Sequence, residues 1–293
     1  MTTDGLFTIH SVTIPVKQNQ PIKLIPFGDI HADSDLHAVD EWMEFIDYAR
    51  KEKDAYFLGM GDYLDSWSAS ERHILRSGGL HDTSLKNLEK DARKRVADFC
   101  KQISFMKGRC LGIISGNHKP EFSDGTNGDH LIAAALGTKY LGVASAIHVS
   151  LHVNGKEPQW SFDVFAHHGK GGSARTVGGT LNTVAQVAAY MDCEIYLMGH
   201  DHQRAAVPLP PLLGLRHNSR GEWKLAERDR WVGRTGSFLK AYVDGQSSYN
   251  VDAGRGPCSI GHIEFTITPG VKITGRDRPD RVDEFFLKIR GTG

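Results

Sequence analysis

Residues 22–31 read Ile22-Lys23-Leu24-Ile25-Pro26-Phe27-Gly28-Asp29-Ile30-His31, a short apolar run that ends in a carboxylate and an imidazole one residue apart. A run of this length, rich in β-branched and aromatic side chains and bounded by turn residues, predicts a buried strand rather than a helix. The same arrangement recurs four times. Ala55-Tyr56-Phe57-Leu58 precedes Gly61-Asp62-Tyr63-Leu64-Asp65, and Cys110-Leu111-Gly112-Ile113-Ile114 precedes Gly116-Asn117-His118. Phe162-Asp163-Val164-Phe165-Ala166 leads into His167-His168-Gly169, and Cys193-Glu194-Ile195-Tyr196-Leu197-Met198 leads into Gly199-His200-Asp201-His202. Each polar cluster therefore lies at the carboxyl end of a predicted strand, where the loops of α/β proteins converge on ligands.

Segments of helical period separate these runs. Leu36, Val39, Trp42, Met43, Ile46 and Ala49 recur at steps of three and four, with Asp40, Glu44, Asp47 and Lys51 on the opposite face. Leu85, Leu88, Ala92, Val96, Phe99, Ile103 and Met106 repeat the pattern over 84–106, with Ser84 as the expected N-cap. A third helix is predicted over 180–191. Strands alternating with helices imply an α/β layer architecture. Residues 233–242 and the alternating 259–268 add β structure after the motif core of 22–203. Two stretches read as excursions from that core: the polar and aromatic 66–84, and 203–232, with its Pro208-Leu209-Pro210-Pro211 and several arginines. No linker divides the 293 residues, and a single domain is expected.

Composition narrows the function. Thirty-five basic residues balance thirty-five acidic ones, so no overall basic surface of the kind that marks duplex nucleic-acid binding is expected. No run is long and apolar enough to span a bilayer, and the first residues lack the basic-then-apolar pattern of a signal peptide, so a soluble cytoplasmic protein is expected. The four cysteines, Cys100, Cys110, Cys193 and Cys258, are scattered without the spacing of a zinc or redox motif.

Carboxylate, amide and imidazole donors delivered by several strand ends are what a two-metal phosphoester hydrolase requires. It needs two divalent ions roughly 3.5–4 Å apart, a carboxylate able to bridge them, and positions left for water. Alternate residues on an extended strand end point the same way, so Asp-x-His and His-x-His are each expected to offer two donors.

No one of these short motifs is specific, but their joint order resembles the signature of the calcineurin-like metallophosphoesterase superfamily. The resemblance runs over residues 22–203, and Thr235-Gly236-Ser237-Phe238 resembles the segment by which members return to the sheet. It implies a four-layer α/β/β/α sandwich with added C-terminal strands. It also implies one metal held by Asp29, His31 and His202, a second held by Asn117, His200 and a histidine of the 167/168 pair, and Asp62 bridging. His168, followed by glycine, is the favoured ligand, which leaves His167 as a neighbour or substrate contact. A hydroxide bridging two ions, with Mn expected and Fe or Zn as alternatives, would attack phosphorus. His118 would face the substrate as general acid, oriented by Asp65.

Two departures bear on substrate. Lys119-Pro120 follows Gly-Asn-His where much of the family has an acidic residue, and Ser66-Trp67 follows Asp65 where protein phosphatases carry Arg-Gly. Both argue against phosphoproteins. Lys119 is a candidate phosphate contact, as are Lys170 and Arg175 in the glycine-rich stretch after His168. The expected activity is hydrolysis of a small or nucleotide-derived phosphodiester or monoester. A nuclease using Arg204, Arg216, Arg220, Arg228, Arg230 and Arg234 as a local basic face is the alternative. A non-catalytic scaffold of the same fold is the reading from another class.

Overall fold

All five apolar runs form strands, because residues that are β-branched or aromatic and apolar on both faces are stable only where a sheet is covered on both sides. In this computed structural model, which describes residues 5–66, 77–78, 81–153, 156–169, 176–217, 221–246, 249–252, 254, 256–272 and 284–293, the strands are as follows. They are β1 (Thr8–Pro15), β2 (Ile22–Phe27), β3 (Ala55–Gly59), β4 (Cys110–Ile113), β5 (Ala144–His152), β6 (Trp160–His167), β7 (Ile195–Met198), β8 (Arg204–His217), β9 (Trp223–Ser237), β10 (Gly261–His262), β11 (Glu264–Lys272) and β12 (Glu284–Thr292). Helices α1 (Val39–Lys51), α2 (Asp82–Gln102), α3 (Gly128–Leu136) and α4 (Val177–Ala185) lie between them.

The strands make two sheets. One has the order β12-β11-β2-β3-β4, and the other β1-β5-β6-β7-β9-β10, with β8 paired to β9. Within the first, β2, β3 and β4 run parallel, joined by crossovers through α1 and α2. Within the second, β6, β7 and β9 run parallel, with α4 in the crossover from β6 to β7. Parallel pairing brings the carboxyl ends of β2, β3 and β4 to one edge of their sheet, and those of β6 and β7 to one edge of theirs.

Three apolar cores define four layers. Ile25, Phe27 and Phe57 pack outward on Trp42 and Phe45 of α1, Val96 and Phe99 of α2 and Ile132 of α3. Leu24, Leu58 and Leu111 of the same sheet pack inward on Ile147, Phe162, Val164 and Leu197 of the other. That second sheet then covers its far face with Phe165, Tyr196 and Val232 against Val184 of α4. The order is helices, sheet, sheet, helices: the expected α/β/β/α sandwich.

Several boundaries differ from the sequence reading. The N-cap of α2 is His81, whose ring accepts from Thr83 N, and not Ser84, which lies inside the helix. The alternating stretch 259–268 divides between the sheets: Gly261–His262 pairs with β9 in one, and β11 lies between β12 and β2 in the other, with residues 265–267 paired to β2. The stretch 203–232 is not wholly an excursion. It forms a hairpin whose second strand enters the sheet beside β7 through Trp231 to Arg234. Most of the 66–84 stretch lies outside the described residues. Among those described, no helix is long and apolar enough to cross a membrane.

Trp42 anchors the outer core. It is fully buried, stacked on Phe45 and Phe99 at 5.2 and 6.0 Å between centroids, edge-on to Phe238, and donates Nε1–H to Gln102 Oε1 at 2.8 Å. Removal of a buried aromatic of this size typically costs about 3–5 kcal/mol. Trp42→Ala is expected to lower the urea midpoint accordingly, and Trp42→Phe to lower it much less.

Candidate metal centre

The loops beyond the strand ends are strained in one consistent way. Among the described residues, six other than glycine have positive φ, and five of these are Asp29 (49°), His31 (48°), Asp62 (50°), His200 (72°) and His202 (60°). The left-handed region is unfavourable for residues with a Cβ, and such conformations persist only where surrounding structure holds them. This corrects the expectation that Asp-x-His and His-x-His project from extended backbone. The side chains of Asp29, His31, Asp62, His200 and His202 converge because the chain turns left-handed at each of these five residues.

Hydrogen bonds between the loops hold that geometry. Asp29 N donates to Gly61 O at 2.9 Å, Ile30 N and His31 N to Asp62 O at 2.8 and 3.1 Å, and Ala32 N to Tyr63 O at 3.0 Å. His200 N donates to Asp29 Oδ2 at 2.8 Å. The carbonyl of Asp29 accepts from Ser237 Oγ at 2.8 Å and Phe238 N at 2.9 Å. Buried Arg234 donates to Gly199 O at 3.1 Å and to Thr180 O, and lies 3.2 Å from Asp201 Oδ2. Glycine is required where the loops touch. A Cβ on Gly116 would come within 2.0 Å of Asp62 Oδ1, and one on Gly61, at φ 99°, within 2.5 Å of His168 Nδ1.

The side chains form two adjoining donor sets. Asp29, His31 and His202 offer atoms within 4.8 Å of one another, as do Asp62, His168 and His200. Asp62 stands between the sets. Its Oδ2 is 3.9 Å from His31 Nε2 and 3.2 Å from His168 Nε2, while its Oδ1 accepts from His118 N at 2.8 Å. Asn117 Oδ1 lies 2.9 Å from His168 Nε2 and 2.7 Å from His200 Nδ1, completing the second set. Asp29 Oδ1 and His31 Nε2 are buried with no hydrogen-bond partner among the described residues. Buried polar atoms are nearly always satisfied, and unpaired acceptors facing a common point fit a cation.

The remaining sequence candidates divide. His168 is buried in the cluster and its Nδ1 bonds to Met60 O at 2.8 Å, which directs Nε2 toward Asp62. The ring of His167 instead accepts from Gly169 N at 2.6 Å. Asp65 Oδ1 meets His118 Nδ1 at 3.2 Å, and also His31 Nδ1 at 2.7 Å. The second contact is unforeseen from sequence, and it orients a donor-set imidazole as outer carboxylates do in metal sites. Lys119 Nζ folds onto Gly116 O at 2.8 Å. Lys170 and Arg175 lie outside the described residues. The sequence reading places Arg234 in a basic face and Ser237 in the 235–238 segment, and neither as a brace of the donor loops.

Electrostatics follows from dense burial. Burial pushes the carboxyl of Asp29 up, against the lowering influence of His168 and His31. Burial acts the same way on Asp62, but His168, His31 and His118 outweigh it and hold its carboxyl well below the usual range. Burial lowers His168, yet Asp62 and Asp29 prevail and raise it to about 9. Burial and the neighbouring His31 lower His202 to about 3. Asp65 is likewise held low despite burial, by His118 and His31.

The fold and the cluster together define a two-sheet α/β protein with a candidate metal centre at its strand ends. No protein-family model matches the chain, and no curated protein does. Among solved structures, it is similar to the crystal structure of Chaetomium thermophilum Vps29, at 9% sequence identity over 92% of this chain and 95% of that chain, with a TM-score of 0.36.

A cation needs His168 neutral and Asp29 ionised, and both groups hold protons more tightly here than in water, so metal binding must release protons. Affinity for Mn²⁺ is expected to rise as pH increases from about 6 to 9. Calorimetry in buffers of different ionisation enthalpy should report net proton release at neutral pH; no buffer dependence would contradict this.

Proposed function

We propose that the chain is a metal-dependent phosphoester hydrolase of the calcineurin-like kind, using two divalent cations to hydrolyse a small or nucleotide-derived phosphodiester or monoester. The observation that carries this reading is Asp62, a carboxylate interposed between two donor sets drawn from the strand ends of both sheets. Asp29, His31 and His202 would hold one ion and Asn117, His168 and His200 the other, with Asp62 common to both. The absence of thiolates from this set suits Mn, and also Fe or Zn. When bound, two such cations supply a hydroxide nucleophile at neutral pH and offset charge on the phosphoryl oxygens.

The chain's own groups complete the chemistry. Asp65 faces His118 Nδ1, which leaves His118 Nε2 for the substrate side. Burial opposes protonation of this imidazole, but Asp65 and Asp62 raise its pKa, which suits it to give a proton to the leaving oxygen. The strained loops hold these groups before substrate arrives, which is where electrostatic catalysis gains most.

Observations on the hairpin disfavour the nuclease alternative. Arg228 is paired with Asp192 and Glu194, Arg234 is buried against Asp201, and Arg230 is bonded to Pro210 O, so three of the arginines read as a basic face are engaged within the protein. A non-catalytic scaffold, for its part, has no use for a half-exposed imidazole held by a carboxylate beside the donor sets.

Metal-stripped protein is expected to hydrolyse bis-p-nitrophenyl phosphate or p-nitrophenyl phosphate only after Mn²⁺ is restored, and Asp62→Asn to abolish turnover. Retained turnover in Asp62→Asn, or a single bound ion, would overturn the dinuclear reading. In His118→Ala both ions should remain while the rate falls about 10²-fold or more, most for esters with poor leaving groups. An equal loss across leaving groups would remove the acid role.

A further inference from the structure

Asn117 and His118 lie on a loop that leaves β4 and returns at α3, and this loop is closed at its neck by one buried side chain. Asp129, in the first turn of α3 and 2% exposed, accepts through Oδ2 from Ser115 Oγ at 2.9 Å and from Gly116 N at 3.2 Å. The loop is braced above the neck as well. Gly128 N donates to Pro120 O at 2.9 Å, Phe122 N to Thr126 O at 2.9 Å, and Asn127 caps α3 by accepting from His130 N at 3.0 Å. An anionic side chain in the first turn of a helix is stabilised by the helix dipole. That offsets only part of the cost of burying Asp129 where water cannot reach it: burial still pushes its carboxyl up to about 7, against the lowering bonds from Ser115 and Gly116.

What Asp129 grips is the residue immediately before the donors. Gly116 sits against Asp62 so closely that no Cβ fits, and the next residues present Asn117 Oδ1 to His168 and His200 and His118 N to Asp62 Oδ1. No other loop of the cluster reaches Asp129 in the described hydrogen bonds. We infer that Asp129 is the positioning residue for the Asn117 and His118 half of the centre, fixing the turn that aims both side chains without itself touching metal or substrate. This rests on the two-ion reading for its consequence in metal affinity, but not for its consequence in the loop itself.

The loop is tested first, without metal. In chelated protein, Asp129→Ala should speed amide hydrogen exchange over residues 115–118 by about tenfold or more, the scale of a lost charge-assisted bond, with exchange at 28–32 and 199–203 unchanged. Asp129→Asn, which keeps an acceptor, should stay within about threefold of wild type. Asp129→Ser is read like Asp129→Ala if the latter fails to fold. In Mn²⁺ titration, the same variants should weaken one of two sites by about 10-fold or more and leave the other unchanged, as loss of outer-shell partners does. Uniformly faster exchange, or unchanged exchange at 115–118, overturns the inference. Wild type that binds a single ion fails the dinuclear reading alone, and the exchange result still decides the role of Asp129.

Discussion

Three carboxylates and five imidazoles are gathered within a few ångströms at the strand ends, and the cost of taking charge out of water governs the surrounding structure. Asp29 and Asp62 are 0% and 1% exposed. An isolated buried carboxylate is expensive enough that it normally neutralises or finds partners. Here the partners are imidazoles and backbone N–H groups from other loops, so no donor is placed by its own segment alone. Asp29 takes His200 N, Asp62 takes His118 N, and Asp65 faces two histidines. The left-handed backbone at five of these residues is the mechanical counterpart of that electrostatic demand. Strain at these five residues is tolerated because the loops pair with one another.

Much of this was legible because burial on both faces leaves an unmistakable trace. Runs such as Ala55-Tyr56-Phe57-Leu58 and Ile195-Tyr196-Leu197-Met198 fit strands inside a covered sheet by their length and their β-branched or aromatic content, and the polar cluster after each marks the edge at which they end. The amphipathic period of α1 and α2 was equally plain. What escaped was set by tertiary contact. The exception is β5, whose alternation is plain, with Ile147, Val149 and Leu151 buried and His148 and Ser150 on the open face; β1 alternates less clearly, because Ile9 is exposed and His10 is not, and α3 is a nine-residue helix whose short apolar stretch carries little period. The switch of the 259–268 segment between sheets at Ile263 leaves no local mark, since both halves read as strand.

In the site, residue types and order were readable and conformation was not. A donor that must adopt positive φ looks no different in sequence from one on an extended strand. The glycines give the nearest hint: Gly61 and Gly116 each precede a donor because a neighbouring loop occupies the space a side chain would fill. The contacts of Asp65 to His31 and of Ser237 to Asp29 join residues 34 and 208 positions apart, and nothing local foretells such pairs.

β9 has a double role that constrains how the chain can vary. It pairs with β8 along nearly its whole length, while its inner half, from Trp231, also pairs with β7 and carries Arg234 and Ser237, which brace the loops of His200 and Asp29. Side chains alternate faces along a strand, so a slip of one residue against β7 would turn Arg234 away from Gly199 and bring a neighbour inward. His217 and Trp223 form the last rung of the ladder, so a change in length beyond them would leave the register against β7 unaltered. The root of the ribbon must keep step with the centre it supports.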